Sequence, residues 1–330
     1  MRKLLKEALQ AKTKKAMPIL FYPAKQLIAK SVKELILSPI YQAEAMRLVS
    51  ERVDSMASIA PMDLSLEAEA FGLKIEFSAD RAPRAIGQLI NSKEDAKALK
   101  IPTPTSGRIG LCINAIERAA KLIEHKPIIA NLSGPLSVAG QLIDLRKILQ
   151  TGQRDTLCAT LEKVTEFLIN CATRYKDSGA SALIIAEPFA GIFSPEINAK
   201  FSVPYARRIT ESVRDKNFAV IYHNCGNNTI YQIADILKIN ADAYHFGNAI
   251  DIVEMLNVVG ADTIVMGNLD PLEIFCNKSP ESSYSETLDL LKRTAKYPNF
   301  IISSGCDIPA HAKWENIDAF FSCVAKFYKQ

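Results

Sequence analysis

The chain has 330 residues, of which 48% are hydrophobic and 23% are charged, and its formal net charge is +4. This is the composition of a globular protein with enough apolar residues for a large core. The small charge and the lack of a block of basic and aromatic residues argue against nucleic-acid binding. Seven cysteines in a chain of this length do not indicate the disulfide framework of a small secreted protein.

The chain begins with a basic, amphipathic stretch, MRKLLKEALQAKTKK, at residues 1–15. It lacks the apolar central region of a signal peptide, and the following MPILFYPA is too short to span a membrane. We therefore predict a first helix that lies over the body of the fold, with a membrane-surface helix as the alternative. We expect a cytoplasmic protein that does not associate with membranes.

Short apolar runs separated by long segments with helical periodicity make up the rest of the chain. Continuous apolar runs indicate strands that are buried on both faces, as in parallel sheets. Helix starts are marked by Ser194 before Pro195 and by Asp270 before Pro271. The eight runs are PILFYP (18–23), DSMASIAP (54–61), KPIIANLSG (126–134), SALIIAEP (181–188), FAVIYHNCG (218–226), ADAYHFGN (241–248), DTIVMGNLD (262–270) and NFIISSGC (299–306).

Eight strands alternating with helices predict an α/β fold, a (β/α)8 TIM barrel preceded by a short helical extension. The spacing between the second and third strands is long and contains IPTPTSGR (101–108), whose Pro, Thr and Ser content marks a loop. We interpret this part as an insertion and predict a single domain over residues 1–330.

Polar and metal-ligating side chains gather where the predicted strands end, which is where barrel active sites lie. His223 and Cys225 are two positions apart, and side chains at i and i+2 of a strand point the same way. Cys306 follows the eighth strand, whose end faces the same cavity in a closed barrel. Three ligands with an open fourth position are the pattern of catalytic zinc. The strand-end residues are Asp63, Ser133, Glu187, His223, Cys225, His245, Asn268, Asp270 and Cys306.

With these residues the chain resembles the uroporphyrinogen decarboxylase-like superfamily, and within it the methylcobalamin:coenzyme M methyltransferase branch. That branch is marked by His-x-Cys and a distant cysteine in a Gly-Cys turn, and His223, Cys225 and Cys306 fill the three places. The other similar segments are DLSLEAEAFGLKIEF (63–77), LIIAEPFAGIFSPE (183–196), HFGNAIDI (245–252), VMGNLDPLEIF (265–275) and ISSGCDIPAHAKWENIDAF (302–320).

The resemblance implies zinc-dependent methyl transfer from methylcobalamin to a thiol such as coenzyme M, with His223, Cys225 and Cys306 as the metal ligands. A small thiol substrate would take the open position, because coordination to zinc deprotonates a thiol, and its sulfur would attack the methyl carbon. The 330 residues contain no Asp-x-His-x-x-Gly signature for a lower cobalt ligand. We therefore expect a partner corrinoid protein to carry the methylcobalamin.

The remaining candidates have more than one interpretation. Glu187 is a predicted catalytic residue, either as a fourth zinc ligand that substrate displaces or only as a cap of the next loop. Asp63, also a predicted catalytic residue, matches the pyrrole-binding aspartate of the decarboxylases and either lines the cavity or caps a helix. His245 and Asn268 are predicted to contact the cofactor, although His245 is equally well explained as a satisfied core histidine.

Two alternative functions remain. A porphyrinogen-type decarboxylase uses no metal and needs arginines for the substrate carboxylates, whereas the corresponding segment here, FYPAKQLIAK (21–30), has none. A non-catalytic protein would store zinc or dock a corrinoid partner, and a closed four-ligand site would favour it. A separation of more than about 7 Å between His223 and Cys306 would exclude a shared metal, given bond lengths of ~2.0–2.3 Å.

Overall fold

The computed structural model describes residues 3–11 and 13–329 of the chain. This part contains nine strands: β1 (Ser58–Ile59), β2 (Lys74–Glu76), β3 (Arg84–Ile86), β4 (Ile128–Ser133), β5 (Ala182–Ala186), β6 (Ala219–Asn224), β7 (Ala243–Phe246), β8 (Ile264–Leu269) and β9 (Phe300–Ser304). Seven of them form one curled parallel sheet in the order β1-β4-β5-β6-β7-β8-β9, and β2 and β3 form a separate antiparallel hairpin.

Helices connect the successive strands of the large sheet, so the architecture is a TIM-barrel-like α/β fold, as predicted. Short 3-10 helices cover Tyr22–Lys25 and Leu237–Ile239, and a π-helix covers Glu273–Asn277. The α-helices of the described residues are α1 (Lys3–Gln10), α2 (Val32–Ile36), α3 (Pro39–Arg52), α4 (Leu66–Ala70), α5 (Lys93–Ala98), α6 (Arg108–Leu122), α7 (Pro135–Leu142), α8 (Leu145–Gln150), α9 (Arg154–Asp177), α10 (Pro195–Phe201), α11 (Val203–Val213), α12 (Thr229–Ile236), α13 (Ile252–Val259), α14 (Pro280–Thr294) and α15 (Trp314–Tyr328).

The eighth position of the barrel, between β9 and β1, is filled by extended residues 16–19. The amide of Met17 donates to the carbonyl of Ile302 in β9 at 3.0 Å, and the carbonyl of Ala16 accepts from Met56, just before β1, at 2.8 Å. The segment therefore bridges the two open edges of the seven-stranded sheet. We call this bridge the seam of the barrel.

The predicted strand at residues 18–23 is wrong, and backbone chemistry gives the reason. Pro18 has no N–H to donate to a ladder, and the amide of Ile19 donates to the side-chain oxygen of Ser304 at 3.0 Å instead of a carbonyl. The chain then turns into the 3-10 helix that begins at Tyr22, which contains Pro23 near its start. The other seven predicted runs each contain an observed strand of the large sheet.

Apolar side chains form two buried clusters, one inside the barrel and one between the sheet and the helices. Successive strand side chains alternate between them, because they point to opposite faces of a sheet. In β5, Ile184 lies in the inner cluster, whereas Leu183 and Ile185 lie in the outer one. Leu5 of α1 also lies in the inner cluster and is fully buried, which confirms the predicted first helix on the body of the fold.

None of the helices in residues 3–11 and 13–329 has both the length and the apolar character needed to cross a bilayer.

Candidate metal centre

His223 points into the barrel because of its position in β6. Ile221, two residues earlier, belongs to the inner apolar cluster, whereas the intervening Tyr222 belongs to the outer one. In the parallel register, His223 lies beside Ala186 of β5 on one side and His245 of β7 on the other. The alternation that predicted a shared direction for His223 and Cys225 therefore directs both toward the interior.

His223, Cys225 and Cys306 form what we call the thiol–imidazole cluster. One ligand atom from each residue lies within 4.8 Å of the other two, and His223 Nε2 is 3.6 Å from Cys306 Sγ. In the described part of the chain this is the only group of three or more His, Cys, Asp or Glu side chains that could hold a metal ion. The separation lies well inside the predicted limit for a shared metal, and the identity of the metal stays a prediction.

The two thiols of the cluster interact with each other, and their pKa values move in opposite directions. The hydrogen bond between them lowers the pKa of Cys225 and raises the pKa of Cys306 well above its usual value. Proximity to His223 lowers the pKa of Cys225 further. The pair therefore supplies one thiolate readily, and a cation at this place would favour the second.

The position of Cys225 depends on a neighbouring glycine. A Cβ atom added to Gly247 would lie 2.6 Å from both Cα and Cβ of Cys225, closer than real Cβ contacts allow. Gly247 thus lets the loop after β7 pass directly against the cysteine. Its amide also donates to the carbonyl of Asn224 at 3.1 Å, which fixes the two strand ends together.

His245 is fully buried next to the cluster. Its Nδ1 lies 2.8 Å from His223 Nδ1, and its Nε2 lies 2.8 Å from the Ser303 hydroxyl. Burial lowers the pKa of His245 well below its usual value, and the neighbouring His223 lowers it further. The structure thus brings His245 to the cluster with both ring nitrogens occupied by protein partners, and its predicted contact with a cofactor stays a prediction.

Glu187 does not join the thiol–imidazole cluster. It follows Ala186, which faces the barrel interior, so its side chain points to the helix layer. Its oxygens accept from the amides of Leu136 and Ser137, at 2.9 and 2.7 Å, and from the hydroxyls of Ser137 and Ser202. The carboxylate therefore caps α7, and the predicted catalytic role of Glu187 stays a prediction. Burial raises the pKa of Glu187 to about 7 against the lowering effect of these hydrogen bonds.

Asp63 is held in a buried ion pair with Arg108, the first residue of α6. The side chains of Arg108 and Asp63 are 4% and 1% exposed. Asp63 also accepts from the amide and hydroxyl of Ser65, at 3.0 and 2.6 Å, while Arg108 Nε donates to Glu69 at 2.6 Å. The carboxylate of Asp63 therefore joins α4 to α6, and its predicted catalytic role stays a prediction.

The side chains of two more strand-end residues form hydrogen bonds with backbone groups. The side-chain amide of Asn268 donates to the backbone carbonyls of Gly247 and Ile250, at 3.1 and 2.9 Å, so it supports the loop after β7. Asp270 accepts from the amides of Leu272 and Glu273, both at 2.9 Å, which confirms the helix start predicted there. The predicted contact of Asn268 with a cofactor is not tested by these bonds.

Sequence reasoning missed the partners that surround these residues. Glu67 is buried and accepts from the amide and hydroxyl of Ser133, at 3.0 and 2.6 Å, and burial raises its pKa to about 7. Ser303 lies in the predicted strand run at 299–306, but only the structure shows that it shares the inward direction of Ile301 in β9. Arg108 gave no signal, since it is the last residue of the loop-like stretch 101–108, which has no apolar run to set its direction.

Comparison with known proteins shows which family the sequence matches. The sequence model of the family described as uroporphyrinogen decarboxylase (URO-D) matches residues 3–327. The methylcobamide:CoM methyltransferase MtbA of Methanosarcina acetivorans is 27% identical over 275 residues, or 82% of this chain and 79% of that protein. A uroporphyrinogen decarboxylase of Solibacter usitatus is 25% identical over 286 residues, or 84% and 81%.

A solved structure described as a methyltransferase from Methanosarcina mazei has a similar fold. Its TM-score is 0.86 at 21% sequence identity, and the match covers 99% of this chain and 98% of that chain. This likeness supports the barrel architecture. The relatives that are named methyltransferases support a methyltransferase as the class of enzyme.

Proposed function

Because the chain belongs to the uroporphyrinogen decarboxylase family, we propose that it uses this barrel to transfer a methyl group from methylcobalamin to a thiol. The observation that carries the proposal is the convergence of His223, Cys225 and Cys306 on one point. Relatives named methylcobamide:CoM methyltransferase support the donor and suggest coenzyme M as the first thiol to test.

The donor set fits zinc. One imidazole nitrogen and two sulfurs are the ligand types that zinc takes in proteins, and three protein ligands leave a place for substrate. A zinc ion held by His223, Cys225 and Cys306 would keep a thiol substrate in its deprotonated, nucleophilic form at neutral pH. The two cysteines bring negative charge to the site, so the substrate sulfur stays electron-rich.

The reaction balances without an oxidant or reductant. The S–C bond forms as the Co–C bond breaks, cobalt keeps the electron pair of that bond, and the thiol proton passes to solvent. The products are the methyl thioether and cob(I)alamin. We propose that a separate corrinoid protein presents the donor, because no Asp-x-His-x-x-Gly sequence occurs in the 330 residues.

We also propose that residues 1–330 act as one domain. The seam supports this, because it joins residues 16–19 to β9 near the other end of the chain. Limited proteolysis and denaturant unfolding test it: one protected fragment and one cooperative transition are expected, whereas two fragments that unfold separately would contradict it.

The function is tested with purified protein, methylcobalamin and a panel of small thiols that includes coenzyme M. We expect about one zinc per chain, a change in cobalamin absorbance that depends on the thiol, and a methyl thioether detected by mass spectrometry. Removal of zinc with a chelator should stop the reaction, and added zinc should restore it.

A parallel incubation with uroporphyrinogen separates the alternatives. Release of carbon dioxide with no thiol methylated would favour a decarboxylase, which the relatives of that name make a reasonable control. Zinc binding with neither reaction would favour a non-catalytic zinc or corrinoid-docking protein.

A further inference from the structure

The hydrogen bonds that lead from the seam to His223 have a single direction. The hydroxyl of Ser303 donates to the carbonyl of Met17 at 2.6 Å, and a carbonyl can only accept. A serine hydroxyl has one hydrogen, so Ser303 Oγ must accept from His245 Nε2, which lies 2.8 Å away. The proton of His245 is therefore on Nε2.

The same logic extends to the next ring. A neutral imidazole with a proton on Nε2 has a bare Nδ1, which can only accept. Nδ1 of His245 is 2.8 Å from Nδ1 of His223, and one hydrogen lies between two nitrogens at that distance. His223 must supply it, so the proton of His223 is on Nδ1. The other nitrogen of His223, Nε2, is the atom that lies 3.6 Å from Cys306 Sγ.

We propose that the Met17 carbonyl, Ser303 and His245 form a relay that holds His223 in the tautomer whose Nε2 lone pair faces the two cysteines. The proposal rests on the metal site proposed above, and it makes Ser303 and His245 positioning residues. A metal-binding histidine commonly donates its second N–H to a carboxylate, a carbonyl or water, which orients the ring. In this chain the ring of a second histidine takes that place at 2.8 Å, and the carbonyl oxygen of the same residue lies farther away, at 3.3 Å.

The relay is built into the interior of the protein. His223, His245 and Ser303 are at most 1% exposed, so water does not compete for these hydrogen bonds. The opposite tautomer of His223 would place a hydrogen on Nε2, where it would occupy the lone pair that a metal needs. It would also leave two bare nitrogens, His223 Nδ1 and His245 Nδ1, facing each other.

The first test needs neither zinc nor activity. In metal-free protein labelled with 15N-histidine, long-range 1H–15N correlation spectra report which ring nitrogen carries the proton. The chain has four histidines, so replacing His223 and His245 one at a time assigns both signals. We expect protonated Nδ1 with bare Nε2 for His223, and the reverse for His245. A His223 that carries its proton on Nε2 overturns the proposal.

The second test uses two neighbouring serines. Ser303→Ala removes the acceptor of His245 and the hydrogen bond to the Met17 carbonyl, whereas Ser304→Ala removes only the hydrogen bond from the Ile19 amide, so both changes loosen the seam. We expect zinc affinity, measured by competition with a chromophoric chelator, to fall about 10- to 100-fold for Ser303→Ala and less than about twofold for Ser304→Ala. Equal losses would mean that the serines act only by holding the seam, which overturns the proposal.

A third comparison separates hydrogen bonding from packing. His245→Phe fills the space and removes the ring acceptor, so that only the backbone carbonyl of residue 245, 3.3 Å from His223 Nδ1, remains, whereas His245→Asn offers an amide oxygen near the place of Nδ1. We expect Asn to recover most of the zinc affinity and the protonated Nδ1 of His223, both of which Phe loses. If Phe keeps the parent tautomer, the relay does not set it. If the parent protein binds no zinc but shows the expected tautomers, the metal proposal fails and the relay stands.

Discussion

Two groups of polar side chains lie at or next to the strand ends of this barrel, and they differ in what their atoms contact. The thiol–imidazole cluster consists of residues that face one another. The buried carboxylates, Asp63, Glu67 and Glu187, instead accept hydrogen bonds from the surrounding protein. A polar residue at a strand end is thus free for a ligand only when the fold does not already use its hydrogen-bonding capacity.

The distinction between the two groups would be contradicted most clearly if a cysteine of the cluster could be removed without loss of zinc affinity. Cys225→Ala and Cys306→Ala should each lower zinc affinity by more than the ~10- to 100-fold loss typical of an outer-shell partner, because a direct ligand is lost. Methyl transfer should fall to background, as measured by cobalamin absorbance and zinc content. Cys158→Ala is the matched control, since Cys158 is also half-buried but lies in α9. Normal zinc content in either cluster variant would contradict the site.

The carboxylate side is tested next by Arg108→Met. This change leaves Asp63 buried without its cation, so the free energy of unfolding should fall by about 3–5 kcal/mol. Denaturant unfolding measures it. Arg84→Met is the control: its ion pair with Glu76 is exposed, so a change of less than about 1 kcal/mol is expected. Similar values for the two variants would show that Arg108 does not support the fold in this way.

The buried carboxyl group of Glu67 should make the free energy of unfolding depend on pH. Its pKa is raised to about 7 in the folded protein from an ordinary value of 4.5, so the folded state binds the proton more tightly. Stability from this source is complete below about pH 4.5 and is lost as the pH rises to about 7, by at most about 3 kcal/mol.

Glu67→Gln should remove this contribution. Urea unfolding at several pH values should then show a smaller fall in the free energy of unfolding between pH 4.5 and 7 than the parent shows. Glu187 contributes a fall of the same sign in both proteins, so the difference between them isolates Glu67. Identical pH profiles would sink this explanation.

Glu187→Gln has the smallest expected effect and sharpens the comparison most. The amide group of glutamine cannot accept from all four donors, so about 1–3 kcal/mol of stability should be lost. Zinc affinity should stay within about threefold of the parent, because the carboxylate caps α7 and does not join the cluster. Chelator competition measures the affinity. A tenfold fall in zinc affinity with normal stability would identify Glu187 as a ligand after all.

The fold was predictable where burial alone decides the structure. Seven apolar runs became parallel strands, because a strand covered on both faces needs apolar residues at every position. The strand predicted at 18–23 was wrong because these residues are apolar without being part of a regular strand. Residues 16–20 are buried at the seam, but Pro18 has no N–H to donate and the Ile19 amide donates to a serine hydroxyl. Apolar content indicates that a segment is buried, whereas strand pairing depends on which backbone donors and acceptors are available.

The site was predictable only where spacing fixes direction. His223 and Cys225 share a strand, so their common direction follows from alternation. Glu187 ends a different strand, and its direction depends on which face of β5 turns inward, which the uniformly apolar ALIIA does not reveal. The pairing of Asp63 with Arg108, 45 residues later, depends on how an insertion folds back, and no local periodicity contains that.

The seam also sets an order of events during synthesis. Met17 and Ser303 are 286 positions apart, so the contact joins parts of the chain that are synthesised at widely separated times. The barrel stays open along this edge until β9 has left the ribosome, and a nascent chain that ends before residue 306 lacks one of the two cluster cysteines. Contacts this distant in sequence form late in folding. Synthesis past residue 306 is therefore the step that makes the centre possible, so a shorter nascent chain cannot hold a metal with all three ligands.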